Sequence, residues 1–189
     1  MAEIQLAGTS LASESGGTIT VNNGTLGSGV VFPSNHVIQV VSDTFTGTSS
    51  ASNTTFVENT FLTKSITSLA ANSKFLVMVT SIMGGVDATP RLRLRRTISA
   101  TTYDIVNADG QDGVTMGSDA RLSGVQSGIV VHLSYVDSPA ASASTSINYK
   151  IDLRSADTNT VYLGQSGYVS PGDSDPKALS SMIIMELAA

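Results

Sequence analysis

The stretch GIVVHLSYVDSPAASASTSINYKIDL, from Gly128 to Leu153, decides the fold. Ile129, Val131, Leu133 and Tyr135 alternate with Val130, His132, Ser134 and Val136. After a loop, Ile147, Tyr149, Ile151 and Leu153 alternate with Asn148, Lys150, Asp152 and Arg154. A period of two over this length predicts two strands, each with one face on a core. The run DSPAASAS between them, Asp137 to Ser144, carries turn chemistry and no helix signal. The simplest arrangement pairs the two strands antiparallel. A loop from Asp137 to Ser146 is also long enough to carry the chain from one sheet to another.

Other segments extend the same pattern. His36 to Phe45 is a first body strand with both faces partly apolar, followed by a polar loop to Asn53. Thr54 to Ile66 is extended, with Phe56 and Phe61 as anchors. The apolar run SKFLVMVTSIM, Ser73 to Met83, fits a buried strand or a short helix by periodicity. Its Val and Ile content, its length and the glycines after it favour the strand. Arg91 to Arg96 places Arg91, Arg93 and Arg95 outward and Leu92 and Leu94 inward; Thr102 to Val106 returns. Asn107 to Gly124 reads as a long surface loop, Thr160 to Leu163 as a short strand, and Tyr168 to Lys177 as a two-proline loop. Ser180 to Leu187 is the last strand. Eight or nine strands with no helix and regular turn signals predict an all-β sandwich or jelly roll.

Two segments carry assembly signals. In the last strand Met182, Ile184 and Glu186 share one face, while Ile183, Met185 and Leu187 share the other. A strand apolar on both faces is covered on both, so its second face is expected to meet another subunit. Met182, Ile184, Tyr135 and Tyr149 are the candidate interface residues. Residues 1–35 read as an N-terminal arm ahead of a head domain at 36–189. Within the arm, Thr18 to Val21 and Thr25 to Phe32 flank Asn22-Asn23-Gly24, a hairpin turn sequence. An isolated hairpin is marginal in water, so an arm that docks on a partner is expected, through Ile19, Val21, Leu26, Val30 and Phe32.

Composition limits the chemistry. The chain has 189 residues, no cysteine, 13% charged residues and a net charge of -5. A domain of this length buries roughly 70% of its unfolded surface. Disulfides, thiolate metal sites and a cysteine nucleophile are excluded, and the sparse basic charge argues against a nucleic-acid partner. No segment is long and apolar enough to span a bilayer, and the N-terminus shows no secretory signal. His36 and His132 are the two histidines, each on an expected strand, and no serine stands in a nucleophile-elbow motif. The loop Asn107 to Gly113 alternates oxygen ligands, but an EF-hand wants glycine and glutamate where Asp112 and Ser118 stand. No catalytic residue, metal ligand or cofactor site is expected. The arginine strand reads as a contact strip for an acidic partner, or as a charged face that blunts a sheet edge.

From about Val37 to its end the chain resembles a group of bacteriophage virion proteins, the tail-fibre-tip and capsid-decoration β-domains of marine and cyanobacterial phages. The residues that carry this are HVIQVVSDTF at 36–45, FLTKSITSLAANSKFLVMVTS at 61–81, LSYVDSPA at 133–140, INYKIDLRS at 147–155 and SSMIIMELAA at 180–189. The resemblance implies a jelly-roll-like β-sandwich, similar in plan to trimeric tumour-necrosis-factor and C1q heads, assembling as a homotrimer on the virion. It implies a non-enzymatic role. No coiled-coil or β-spiral shaft precedes residue 36, which favours a capsid decoration or cement protein, or a short head fibre, bound to the major capsid protein or another virion protein. The alternative is a tail-fibre tip that recognises a host-surface glycan through loops such as Asn107 to Gly124.

Overall fold

The structure is a computed structural model that describes residues 33–105, 127–166 and 178–189, together with the strand backbones at 2–6, 9–15 and 18–21. The chain divides into two units, Met1–Pro33 and Ser34–Ala189. The first contains β1 (Ala2–Leu6), β2 (Thr9–Ser15) and β3 (Thr18–Val21), an antiparallel sheet in the order β1-β2-β3 with a bulge at Ile4/Gln5. β3 therefore pairs with β2, where the sequence suggested a hairpin running on to Phe32. The reason lies in β2, whose TSLASES offers one large apolar side chain and no readable alternation. The Asn-Gly turn, Leu26, Val30 and Phe32 lie outside the described residues.

Among the described residues the second unit is an antiparallel β-sandwich with ten strands and no helix. These are β4 (Val37–Phe45), β5 (Ser49–Ala51), β6 (Val57–Thr67), β7 (Lys74–Gly85), β8 (Pro90–Ile98), β9 (Thr101–Asp104), β10 (Ser127–Asp137), β11 (Ser146–Ser155), β12 (Val161–Leu163) and β13 (Ser180–Leu187). The six-stranded sheet is built on β7. β10 lines one edge of β7 from Phe75 to Gly85; β13 and then β12 line the other, with β4 beyond β13 and β5 beyond β12. Neighbours on both sides explain why the Ser73–Met83 run is a strand: every backbone group of its centre has a ladder partner. The second sheet has the order β6-β11-β8-β9.

β10 and β11 do not pair. β10 belongs to the six-stranded sheet and β11 to the other, so the 138–145 segment crosses the sandwich. The facing rows bury Phe75, Val77, Val79, Val131, Leu133, Met182 and Ile184 against Leu62, Ile66, Leu92, Leu94, Ile147, Tyr149, Ile151 and Leu153. Phe75 and Tyr149 meet across the layer with ring centroids 6.3 Å apart.

One polar tie spans this core. Arg96 continues the inward parity of Leu92 and Leu94, and its Nη1 donates to Asp137 Oδ1 and Oδ2 at 2.6 and 2.7 Å. The Tyr149 hydroxyl donates to Asp137 Oδ2 at 2.7 Å. Burial first, then the Asp137 charge, push the Tyr149 hydroxyl far above its ordinary value. In the unfolded chain that phenol ionises above about pH 10, while in the folded chain it keeps its proton. The unfolded state then binds fewer protons, so stability is full below pH 10 and falls above it by about 1.4 kcal/mol per pH unit. Urea unfolding between pH 9 and 11 is expected to show this slope, and Tyr149→Phe to flatten it by that amount.

β8 and β9 are joined by Ser99 and Ala100, both left-handed at φ 47° and 65°. A two-residue hairpin loop with two positive φ values is a type I′ turn, which glycine or asparagine ordinarily fills. Ala100→Gly is expected to raise stability by about 0.5–1 kcal/mol, read as a higher urea midpoint.

Candidate assembly surface

The two outer faces of the sandwich differ in chemistry. On the four-stranded sheet, Arg91, Arg93 and Arg95 point outward as their parity requires, beside Lys150, Asp152 and Arg154 of β11. Part of this charge is paired within the chain. Asp152 Oδ2 accepts from Arg93 at 2.7 Å and Arg95 at 2.8 Å, and its carboxylate is buried beneath them. Lys150 pairs with Glu58, whose carboxyl the hydrogen bond from Lys150 holds below its ordinary value. Phe56 lies under two guanidinium groups, Arg93 at 4.3 Å and Arg154 at 5.2 Å from its ring centroid. β8 is also an interior strand, paired with β11 and β9. The arginines therefore do not guard a sheet edge; they form a cover over Asp152 and Phe56.

The outer face of the six-stranded sheet carries an apolar row, a mixed row and a polar row. Register sets its rows: Val136, Leu76, Met185 and Val40 lie side by side, then Ser134, Met78, Ile183 and Ser42, then His132, Thr80, Ser181 and Thr44. Val130 beside Ile82, and Leu187 beside Val37, extend it at either end. Lys74, opposite Leu187, is the charged residue at its margin. Val130 is 70% exposed, Val40 54% and Val136 49%, and the central residues of β7 and β13 are half-buried. Exposed apolar side chains grouped in this way make the face the candidate assembly surface.

The structure turns the expected interface residues inward. Met182, Ile184 and Tyr149 are wholly buried in the chain's own core, and Tyr135 is packed against it. The surface on the same strands is the opposite row, Ile183, Met185 and Leu187. Glu186 explains the inversion. A carboxylate on a strand suggests the wet face, yet Glu186 is fully buried and accepts the Leu69 and Ala70 amides at 2.9–3.1 Å. It thereby satisfies the backbone of the β6–β7 turn. Of the arm residues, Ile19 and Val21 lie on β3.

The remaining candidates stay apart. His132 is exposed on β10, its Nδ1 3.0 Å from Thr80 Oγ1, and His36 stands just before β4. Among the described residues no group of three His, Asp or Glu side chains is placed to hold a metal, and no helix is long and apolar enough to cross a membrane. The loop from Asn107 to Gly124 lies outside the described residues. An open depression of about 400 Å³ lies between the β8–β9 turn and the 139–145 segment, lined by Arg96, Ser99, Tyr103, Pro139, Ser142 and Thr145 among others. Tyr103 is 45% exposed there, with Arg96 4.9 Å from its ring centroid.

The fold and surface thus define an antiparallel β-sandwich with one arginine-rich outer face and one outer face rich in exposed and half-buried apolar side chains. No family model matches the chain, and no curated protein matches it. Among solved structures it is similar to a chain of infectious bursal disease virus, Gx strain, at a TM-score of 0.35 and 9% identity, over 99% of this chain and 43% of that one. The Gt strain gives a TM-score of 0.36 and 10% identity over 89% and 45%. This chain spans less than half the length of either, and likeness at that level carries no functional argument.

Proposed function

We propose that the protein is a non-enzymatic structural component of a virion, a capsid decoration or cement protein or a short head fibre, that acts as a homo-oligomer. Three copies is the number the phage resemblance implies. The observation that supports self-assembly is the apolar outer face of β7, β13, β10 and β4, which a lone sandwich would leave in water. Covering it gains roughly 25 cal/mol per Å² of apolar area, before ordering costs. A decoration protein built this way stabilises a shell by binding the assembled form in preference to free subunits. In this reading the N-terminal unit is the attachment arm.

Ile183→Lys with Met185→Lys puts two charges at the centre of the face and leaves the inward row intact. Sedimentation velocity is expected to show an oligomer for the wild type and a folded monomer for the variant. An unchanged oligomer would mean that the subunits meet elsewhere. Removal of residues 1–33 is expected to keep the oligomer and abolish particle binding.

The depression beside Tyr103 favours a second reading, a tip that holds a host glycan. An exposed aromatic ring with hydroxyl side chains and an arginine around it has the chemistry of a sugar platform. Glycan-array binding by the purified protein that is lost in Tyr103→Ala would promote it.

A further inference from the structure

The apolar exposure of the second unit is concentrated on two strands. Of the seven large hydrophobic residues exposed to solvent among the described residues, four are valines on the lateral edges of one sheet: Val37 and Val40 on β4, Val130 and Val136 on β10. Among the described residues β10 pairs only with β7 and β4 only with β13. Both edges therefore carry backbone donors and acceptors with no ladder partner among those residues.

Proteins blunt such edges with charge, proline, bulges or brevity. The other edges here do so. β6 carries Glu58 and Lys64 and is irregular opposite Lys150–Asp152, while β9 has four residues and β5 three. β10 has none of these devices. It runs eleven residues in unbroken register with β7, without proline or bulge. Its one charged residue, the terminal Asp137, is already held by Arg96. β4 is nine residues long; it is irregular at Val37–Gln39 and carries Asp43, which is held by Lys64, but from Val40 to Phe45 it pairs in regular register and its outward residues Val40, Ser42 and Thr44 are uncharged.

Strand direction selects the partner. β10 and β13 run antiparallel to β7, and β4 runs antiparallel to β13, so β10 and β4 run in opposite directions at the two ends of one sheet. Rotation of a second copy about an axis along the strands keeps these directions, so β10 of one copy meets β4 of the next antiparallel. Contact between two different patches is heterologous, and it closes into a ring when the rotation divides the circle. Rotation also preserves height along the axis. Val136 and Val40 share a row across the sheet, as do Ser134 and Ser42, and His132 and Thr44. The same pairs then face one another between copies, in a single consistent antiparallel register. The apolar outer faces turn towards the common axis.

We infer that β10 of one copy adds to β4 of the next, Val136 against Val40, joining the six-stranded sheets head to tail into a closed ring whose interior is the apolar face. This rests on the reading that the face meets further copies of the chain.

The full chain contains no cysteine, so every disulfide reports a designed pair. Residues opposite one another across an antiparallel pair have Cα atoms about 4.5–5.5 Å apart, within disulfide reach. Val40→Cys is combined in turn with Val136→Cys, Ser134→Cys and His132→Cys, oxidised at low protein concentration, and run on a non-reducing denaturing gel. The expected result is a covalent ladder ending in a closed ring, at least tenfold stronger for 40 with 136 than for the other pairs. Each single variant is expected to remain a monomer on that gel. A covalent dimer from Val136→Cys alone would show β10 pairing with itself across a two-fold and overturn the inference. So would the absence of a ladder from all three pairs in a protein whose native mass is oligomeric. A monomeric native mass for the wild type would instead overturn the self-assembly reading on which the inference rests.

Discussion

Asp137→Ala is expected to cost about 3–5 kcal/mol of stability, because it removes one member of a buried ion pair and leaves the other. Asp137 is 5% exposed and Arg96 15%, so little water reaches the site to replace the lost acceptor. The Tyr149 hydroxyl, which donates to the same carboxylate from a fully buried position, loses its partner too. Asp137 ends β10 in one sheet, whereas Arg96 and Tyr149 lie on β8 and β11 of the other. The damage therefore falls on sheet-to-sheet packing. Replacing all three by apolar groups (Arg96→Met, Asp137→Leu, Tyr149→Phe) is expected to recover most of the loss, since no buried polar group is then stranded. Urea unfolding of the two variants checks both. A loss under 1 kcal/mol for Asp137→Ala would mean that solvent screens the pair.

Gly164→Ala is expected to cost about 3 kcal/mol. Gly164 has φ +84°, a conformation that a side chain strains. A Cβ there would stand 2.3 Å from the carbonyl oxygen of Gly47, which is backbone and cannot rotate away. Gly164 also donates to the Ile82 carbonyl and accepts from the Ala178 amide, at 2.8 and 2.9 Å, so the chain is held on both sides. The approach needs glycine at 47 as well, where a Cβ would meet the Phe61 ring at 3.0 Å. Gly47→Ala is the milder change, because a ring can shift by a few tenths of an ångström. Unfolding midpoints for the pair should rank in that order.

Much of the sandwich was legible because its central strands are half-buried or fully buried. β7, β10, β11 and β13 all show their faces as alternation or as an unbroken apolar run. β2 and β5 escaped notice because serine, threonine and alanine give no contrast between faces. Pairing was less legible than existence. Period two reports which face a residue occupies but not which strand lies alongside, so β10 and β11 looked like neighbours and β8 like an edge. Arg96 offered a signal that was missed: an arginine on the inward parity of Leu92 and Leu94 calls for a buried acid, and Asp137 supplies it.

The candidate surface was half legible. Both apolar faces of the last strand are visible in the sequence, and the structure puts one of them in the core and the other on the outer face of the sheet. Which face is the core was hidden by Glu186, whose partners are main-chain amides of Leu69 and Ala70, more than a hundred residues away in sequence. No local pattern records such a contact. The same limit applies to the lateral edges, whose bareness appears only once the strand order is known.

The claim that the outer face is covered in the working protein can be tested on its methionines. Met78 and Met185 lie on that face, half-buried in the single chain, while Met83 and Met182 lie in the core. Peroxide footprinting of the full-length protein at micromolar concentration, read by mass spectrometry, compares the two pairs within one sample. The account predicts that Met78 and Met185 oxidise as slowly as Met83 and Met182 in the wild type. It also predicts that they become at least tenfold faster when Ile183→Lys, which leaves both methionines in place, separates the subunits. Rapid oxidation of Met78 and Met185 in the native wild-type protein, with Met83 and Met182 protected, would show a bare face and contradict it.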